Sequence, residues 1–340
     1  MQAQRAAHTG RVVTASPPRS RPPAVARPPA VARLPAGPGV YRFRDARGRV
    51  LYVGRATELR SRVGSYWSDL RDRRHLTRMV AQVARIEAVT CASVHEAAWL
   101  ERNLLQVSLP RWNRTPGGQE NQVYIRLSRG RAARAGRALT VVYQATPAPD
   151  LRYFGPYLGG VRTRQAVAAL YRIRPAAAAG RTLRGAHRDL ARARGHDPAD
   201  PVTREADLDL LAAILAKDPA AVARARAELT AIRDRAAGQL AFEFAARVQA
   251  EAEALDWVTS VQRVTSQAAH DLDVYGWAGG ALVHFGVRGG RLCQWSQHGC
   301  PPGAAAEQLA ATPSGWAEFA TRNAMLAATL AGEPAGRLRW

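Results

Sequence analysis

Gly39-Val40-Tyr41-Arg42-Phe43-Arg44, then Asp45-Ala46-Arg47-Gly48, then Arg49-Val50-Leu51-Tyr52-Val53-Gly54 follow one another without a break. Each flank is a short apolar run guarded by a glycine and carrying a tyrosine. The middle is a turn signal, because Asp accepts local backbone hydrogen bonds and Gly tolerates a positive φ. Residues 39–54 therefore read as a β-hairpin. A plain two-residue turn centred on Ala46 and Arg47 places Tyr41 directly opposite Tyr52 on one face, and a bulge at Gly48 shifts that pairing by one.

Working outward, Thr57 can cap a helix running to about residue 67, with Leu59, Val63 and Trp67 along one face. Arg62 and Tyr66 are four apart and so are neighbours on a helix surface. A second helix is expected over 75–86, with Leu76, Met79, Val80 and Val83 inward, and a third strand over 87–91. Ser93-x-x-Glu96 is a capping box that starts a helix, and Pro110 ends it.

The capping box separates two glutamates. Glu96 has a local structural task at the helix start. Glu101 has none: Ala97, Ala98, Leu104 and Leu105 are its three- and four-residue neighbours, so it points along an apolar face. A carboxylate there is expensive unless a cation accompanies it. Either an arginine or Mg²⁺, a hard ion that takes carboxylate oxygens and keeps several waters, meets the need. The residues alone leave both open.

The ordered set of the two half-hairpins, Arg55, Arg62, Tyr66, Leu100-Glu101-Arg102-Asn103-Leu104-Leu105 and Pro110-Arg111-Trp112-Asn113 spans about 75 residues. It resembles the GIY-YIG nuclease module, in particular the N-terminal half of the UvrC excinuclease subunit and its shorter Cho-type relatives. The resemblance implies a small central antiparallel sheet flanked by helices that cuts a phosphodiester with one Mg²⁺ or Mn²⁺ ion. It assigns Glu101 as metal ligand and Tyr52 as base, its proton affinity lowered by nearby cations. Tyr41 assists or orients the water, the two tyrosines being able to exchange roles. Arg62 stabilises the extra negative charge of the transition state. Arg55 and Tyr66 contact phosphate or position Arg62, and Asn113 packs against the hairpin.

Composition agrees with a polyanionic partner. Lys+Arg exceeds Asp+Glu by 49 − 27 = 22, and Lys217 is the single lysine. Such a balance favours nucleic acid over a membrane surface. No apolar run approaches membrane-spanning length. Cys91, Cys293 and Cys300 are too widely spaced for a disulfide framework or a metal site and suit a reducing cytosol.

Five segments are expected. Residues 1–33 carry six arginines and no acid and read as a disordered basic arm. Residues 34–114 are the nuclease domain. Residues 115–200 hold strands at 123–127 and 139–144 and a Phe154-Gly155-Pro156-Tyr157 motif that resembles UvrC, followed by a helix over 162–171. Full-length relatives carry a cysteine cluster beyond that point; with no cysteine from 92 to 292, no iron–sulfur centre is expected, and the segment to Asp200 reads as a linker. Residues 201–260 are helical, and Leu240-Ala241-Phe242-Glu243-Phe244 resembles the UVR hairpin by which UvrC contacts the UvrB helicase. The usual Arg-Asp that follows is Gln249-Ala250 here. Residues 261–340 begin with a three-stranded meander at 271–277, 281–287 and 291–296, separated by Gly279-Gly280 and Gly289-Gly290. His284 and His298 on it read as structural, and the tail is too short for a second nuclease.

The expectation is thus an α/β (α+β) multi-domain protein, cytoplasmic and nucleoid-associated. It acts on DNA as a single-site endonuclease of nucleotide excision repair, on the 3′ side of a lesion, with a UvrB-type helicase as partner through residues 201–260. The alternatives are a structure-specific nuclease independent of UvrB, and a non-catalytic DNA-binding scaffold.

Overall fold

In the computed structural model, residues 26–68, 74–115, 120–130, 137–178 and 201–332 are described. Three three-stranded antiparallel sheets follow one another along the chain. The first is built from β1 (Gly39–Arg44), β2 (Val50–Ala56) and β3 (Arg85–Thr90), in the order β2-β1-β3. The predicted hairpin forms, but its register differs from the plain-turn expectation. Asp45 and Arg49 close the turn, Gly48 takes φ +78°, and a further irregularity follows Phe43. Tyr52 therefore pairs with Phe43, and Tyr41 pairs with Gly54. The shift totals two residues, so both tyrosines stay on one face, as diagonal neighbours.

Helix α1 (Leu59–Gly64) is shorter than expected and is capped by Glu58, not Thr57: the Glu58 carboxylate accepts from the amides of Arg60 and Ser61. Tyr66 and Trp67 lie in the turn beyond it. Helix α2 (Arg74–Val80) ends before Ile86, which lies on β3 with its side chain buried. The alternation Ile86, Ala88 against Glu87, Val89 gives that strand two buried faces, a pattern that a short apolar run shares with a helix. Helix α3 (Val94–Val107) starts as read, with Ser93 Oγ accepting from the Glu96 amide.

One face of the first sheet packs Tyr41, Phe43, Ile86 and Ala88 against Leu59, Val63, Leu76 and Met79. Order begins before residue 34, because Pro29–Val31 form a short 3₁₀ turn and Val31 is fully buried in this same core. Residues 1–25 of the expected arm lie outside the described residues.

The 115–200 segment is more than a linker region. β4 (Gln122–Ser128), β5 (Leu139–Val142) and β6 (Leu151–Leu158) form the second sheet, and the Phe154–Tyr157 motif lies on β6. Helix α4 (Gly160–Ile173) covers one face of that sheet, joined in one core by α5 (Pro201–Leu215), α6 (Pro219–Gly238) and α7 (Phe242–Thr259). The expected linker from 179 to 200 lies outside the described residues.

The meander forms as β7 (Leu272–Ala278), β8 (Ala281–Arg288) and β9 (Arg291–Gly299), followed by α8 (Ser314–Ala331). It is no appendage. Val274, Phe285, Trp295 and Phe319 share a core with Val40, Val53, Trp99 and Leu100 of the first domain. The fully buried Glu87 collects Arg42, Arg44 and Arg85, and Arg42 also donates to the Trp295 carbonyl at 2.7 Å and stacks 3.7 Å from the Trp295 ring. Burial lowers the Arg42 pKa to about 10, which still leaves it charged at neutral pH. Asn323 on α8 accepts from both the amide and the hydroxyl of Thr90 at the end of β3. His284 stacks on Tyr275 and is bonded to Asp273 at 2.7 Å.

Candidate active site

The register places Tyr41 and Tyr52 beside Gly54 on the face that receives α1. A Cβ at Gly54 would sit 2.6 Å from the Tyr41 hydroxyl and 2.7 Å from the Tyr52 ring, so only glycine admits the pair. Tyr66 completes a triangle, its ring 6.0 Å from Tyr41 and 6.1 Å from Tyr52. The hydroxyls of Tyr41 and Tyr66 share a 2.8 Å hydrogen bond. Arg62, one turn back on α1, stands with its guanidinium 5.6 Å from the Tyr66 ring. Its charge acts on all three tyrosines.

Glu101 approaches from α3. Its carboxylate accepts from the Arg55 amide at 3.2 Å and faces the Arg55 side chain at 3.3 Å. Arg55 is thus an arginine of the kind that the sequence left open as one of two cations. Arg55 is shared: its guanidinium also reaches Glu120 at 3.4 Å. Burial outweighs these contacts and raises the Glu101 pKa above the usual carboxylate range. A partly desolvated carboxylate in that state gains from an added cation.

Two cavities meet at this place. Tyr52, Arg62 and Glu101 line both the larger one, of about 1020 Å³, and the smaller one, of about 340 Å³. Arg55 lines the larger, Tyr66 and Asn113 the smaller. Tyr41 lines neither: it is fully buried, and its hydroxyl is bonded to that of Tyr66. Asn113 lies alongside β2, the edge strand. Its side-chain amide donates to the Val53 carbonyl at 2.8 Å and accepts from the Val53 amide at 3.0 Å.

Within the protein, Arg62 is the cation that lowers the proton affinity of Tyr52. Burial raises its pKa, and Tyr66 and Glu101 add to that more than Arg62 offsets. Tyr41 and Tyr66 are raised as well, chiefly by burial.

A divalent ion fits the donors present. Glu101 borders a cavity wide enough for waters, and one carboxylate with several waters is an arrangement that Mg²⁺ accepts. Among the described residues there is no group of three or more His, Cys, Asp or Glu placed to hold a metal by themselves. The sequence reading missed Glu120, Arg162 and Trp257 as cavity-lining groups. The arginine-bearing helix after the Phe154–Tyr157 motif was a visible signal, but nothing local told that its start lines the same cavity as Tyr52.

The family model described as a UvrC-like GIY-YIG domain matches residues 37–114. UvrABC system protein C of Dechloromonas aromatica is 32% identical over 268 residues, covering 75% of this chain and 43% of that protein. The Protochlamydia amoebophila protein of the same name is 37% identical over 139 residues, 41% of this chain and 22% of the relative. The chain thus spans less than half the length of these curated relatives. Among solved structures, the GIY-YIG N-terminal endonuclease domain of UvrC from Thermotoga maritima, bound to its catalytic divalent cation, magnesium, is 28% identical. It covers 25% of this chain and 91% of that one, with a TM-score of 0.23. Residues 37–114 are a GIY-YIG domain of the UvrC type, in a chain similar over three quarters of its length to UvrABC system protein C.

Proposed function

We propose that the chain is a divalent-cation-dependent DNA endonuclease that makes one cut, on the 3′ side of a lesion, in the manner of the UvrC N-terminal half or Cho. The observation that carries this reading is that Tyr52, Arg62 and Glu101, from three different elements, line the same two cavities. Glu101 would hold the single Mg²⁺ or Mn²⁺ ion, which when bound supplies a Lewis acid for the phosphate oxygens. The Arg55 guanidinium would then turn to Glu120, its second partner.

The chain's own residues divide the remaining work. Water forms the new bond to phosphorus as the bond to the leaving oxygen breaks, and solvent returns a proton to that oxygen. Tyr52, exposed to the cavity, takes the proton from water in the fraction of molecules in which it is ionised. Arg62 faces the charge that builds on the phosphate. Tyr41 and Tyr66, buried and bonded to each other, fix the position of Arg62 and Tyr52. Asn113 holds β2 in place from its open edge.

The chain's excess of 22 basic over acidic residues favours a polyanionic substrate, and recognition of DNA structure rather than base sequence follows from the lack of a base-reading motif. For a UvrB-type helicase, the turn between α6 and α7 offers an apolar tip: Leu240 is 74% and Phe242 64% exposed. Exposed aromatic and aliphatic side chains at a hairpin tip suit a protein partner. None of the helices among the described residues is long and apolar enough to cross a membrane. Cleavage of a labelled, lesion-bearing duplex with Mg²⁺, with and without the helicase, tests the reading. A 3′-side nick that needs the helicase supports it; a nick that ignores the helicase supports a free-standing structure-specific nuclease, and binding without any nick a scaffold.

A further inference from the structure

The wall of the larger cavity facing the nuclease residues belongs to the second sheet unit. Gly159, Val161, Arg162 and Gln165 at the start of α4, and Trp257 on α7, line it. Three acids and three arginines border the cavity, and their pairings decide which charge is available. Glu58 is occupied by the α1 amides, and Glu101 and Glu120 both attend Arg55. Among the described residues, Arg62 and Arg162 have no carboxylate at ion-pair distance.

Arg162 moreover has an aromatic neighbour. Its guanidinium lies 5.6 Å from the Trp257 ring. Trp257 is in turn 4.4 Å from the His95 ring and 6.0 Å from Tyr157. His95 is buried on α3, the helix that carries Glu101, so the stack ties Arg162 to the nuclease domain. A surface arginine normally loses side-chain entropy when it binds a phosphate, and an arginine in cation–π contact with an aromatic ring loses less.

We propose that Arg162 grips a phosphate of the substrate DNA strand other than the one cleaved, so that α4 and the second sheet unit form part of the DNA-binding surface. Arg62 serves the reacting phosphate; Arg162, across the cavity, sets the direction in which the strand leaves it. This rests on the nuclease reading for the identity of the polyanion.

The test uses the full chain carrying Glu101→Gln, so that binding is read without cleavage. Anisotropy of a labelled duplex is followed against salt, with and without Arg162→Ala. The expected result is an affinity loss of roughly five- to tenfold at 0.1 M salt and a salt slope smaller by about 1, the signature of one lost phosphate contact. Arg162→Lys restores the slope. In the cleaving chain, Arg162→Ala raises KM more than it lowers kcat. An unchanged affinity and slope in Arg162→Ala, or a slope that Lys does not restore, overturns the proposal. If the parent chain binds but never cuts, the nuclease reading fails while the slope comparison still decides the role of Arg162.

Discussion

The side-chain amide of Asn113 pairs with both backbone groups of Val53, donating at 2.8 Å and accepting at 3.0 Å. One side chain thus completes the ladder of an edge strand whose next residues inward are Tyr52 on one side and Gly54 and Arg55 on the other. Asn113→Leu leaves both Val53 groups partly buried and unpaired, at roughly 1–3 kcal/mol each. The expected outcome is a urea midpoint lowered by the equivalent of about 2 kcal/mol, with a fall in cleavage larger than instability at 25 °C explains. Asn113→Asp keeps the acceptor and loses the donor, so it falls between.

Glu87 and Arg42 join the first sheet to the meander. Glu87→Ala leaves Arg42 buried without its carboxylate, and the expected loss is about 3 kcal/mol or more in equilibrium unfolding. Replacing both, as Arg42→Met with Glu87→Leu, recovers much of it, because two desolvated charges disappear together. A double variant as unstable as the single one contradicts this account of the junction.

His95 gives a pH signature. Burial first, then Lys217 and Arg162, lower its pKa to about 3 from the ordinary 6.5. The folded state therefore binds fewer protons than the unfolded one, and this stability is present above pH 6.5 and lost as pH falls toward 3. At pH 5 the loss is about 2 kcal/mol, at 1.36 kcal/mol per unit. Comparing urea midpoints at pH 7 and pH 5, wild type drops by that amount and His95→Phe does not.

With Tyr52 as the proposed base, the rate follows its ionisation. Its raised pKa keeps it mostly protonated at neutral pH, so the competent ionised fraction grows with pH. Cleavage is expected to rise about tenfold per pH unit from 7 to 9. Tyr52→Phe flattens that slope and lowers the rate roughly 10²- to 10⁴-fold. Tyr41→Phe, whose hydroxyl touches only Tyr66 among the hydrogen bonds described, keeps the slope at a lower rate.

Local rules carried the reading a defined distance. The turn chemistry of Asp45 to Gly48 and the Ser93/Glu96 box are contacts within five residues, and both form. Glu96 has the local task that the box gives it, and, fully buried, also accepts from the Arg263 amide 167 residues away. That second contact has no local signal. Nor do the Arg55–Glu120 pairing, the burial of Glu87 and the placing of Arg162 opposite the tyrosines, since each depends on how three sheets dock. The strand-like face of Ile86 was absorbed into a helix because a short apolar run satisfies both periods. Of the two-residue register shift, Gly48 announces one residue, and the other comes from an irregularity at Leu51 that no turn residue announces.

The proposal stands on Glu101 as the cation ligand of a cutting site, beside its contact with Arg55. The direct measurement is nicking of a labelled lesion-bearing duplex across a Mg²⁺ titration, wild type against Glu101→Ala, with the helicase present and both proteins checked for equal urea midpoints. The account predicts a nick on the 3′ side from wild type that saturates with Mg²⁺, and a loss of at least about 100-fold in Glu101→Ala with DNA binding kept. Equal nicking by the two proteins at every Mg²⁺ concentration would contradict it.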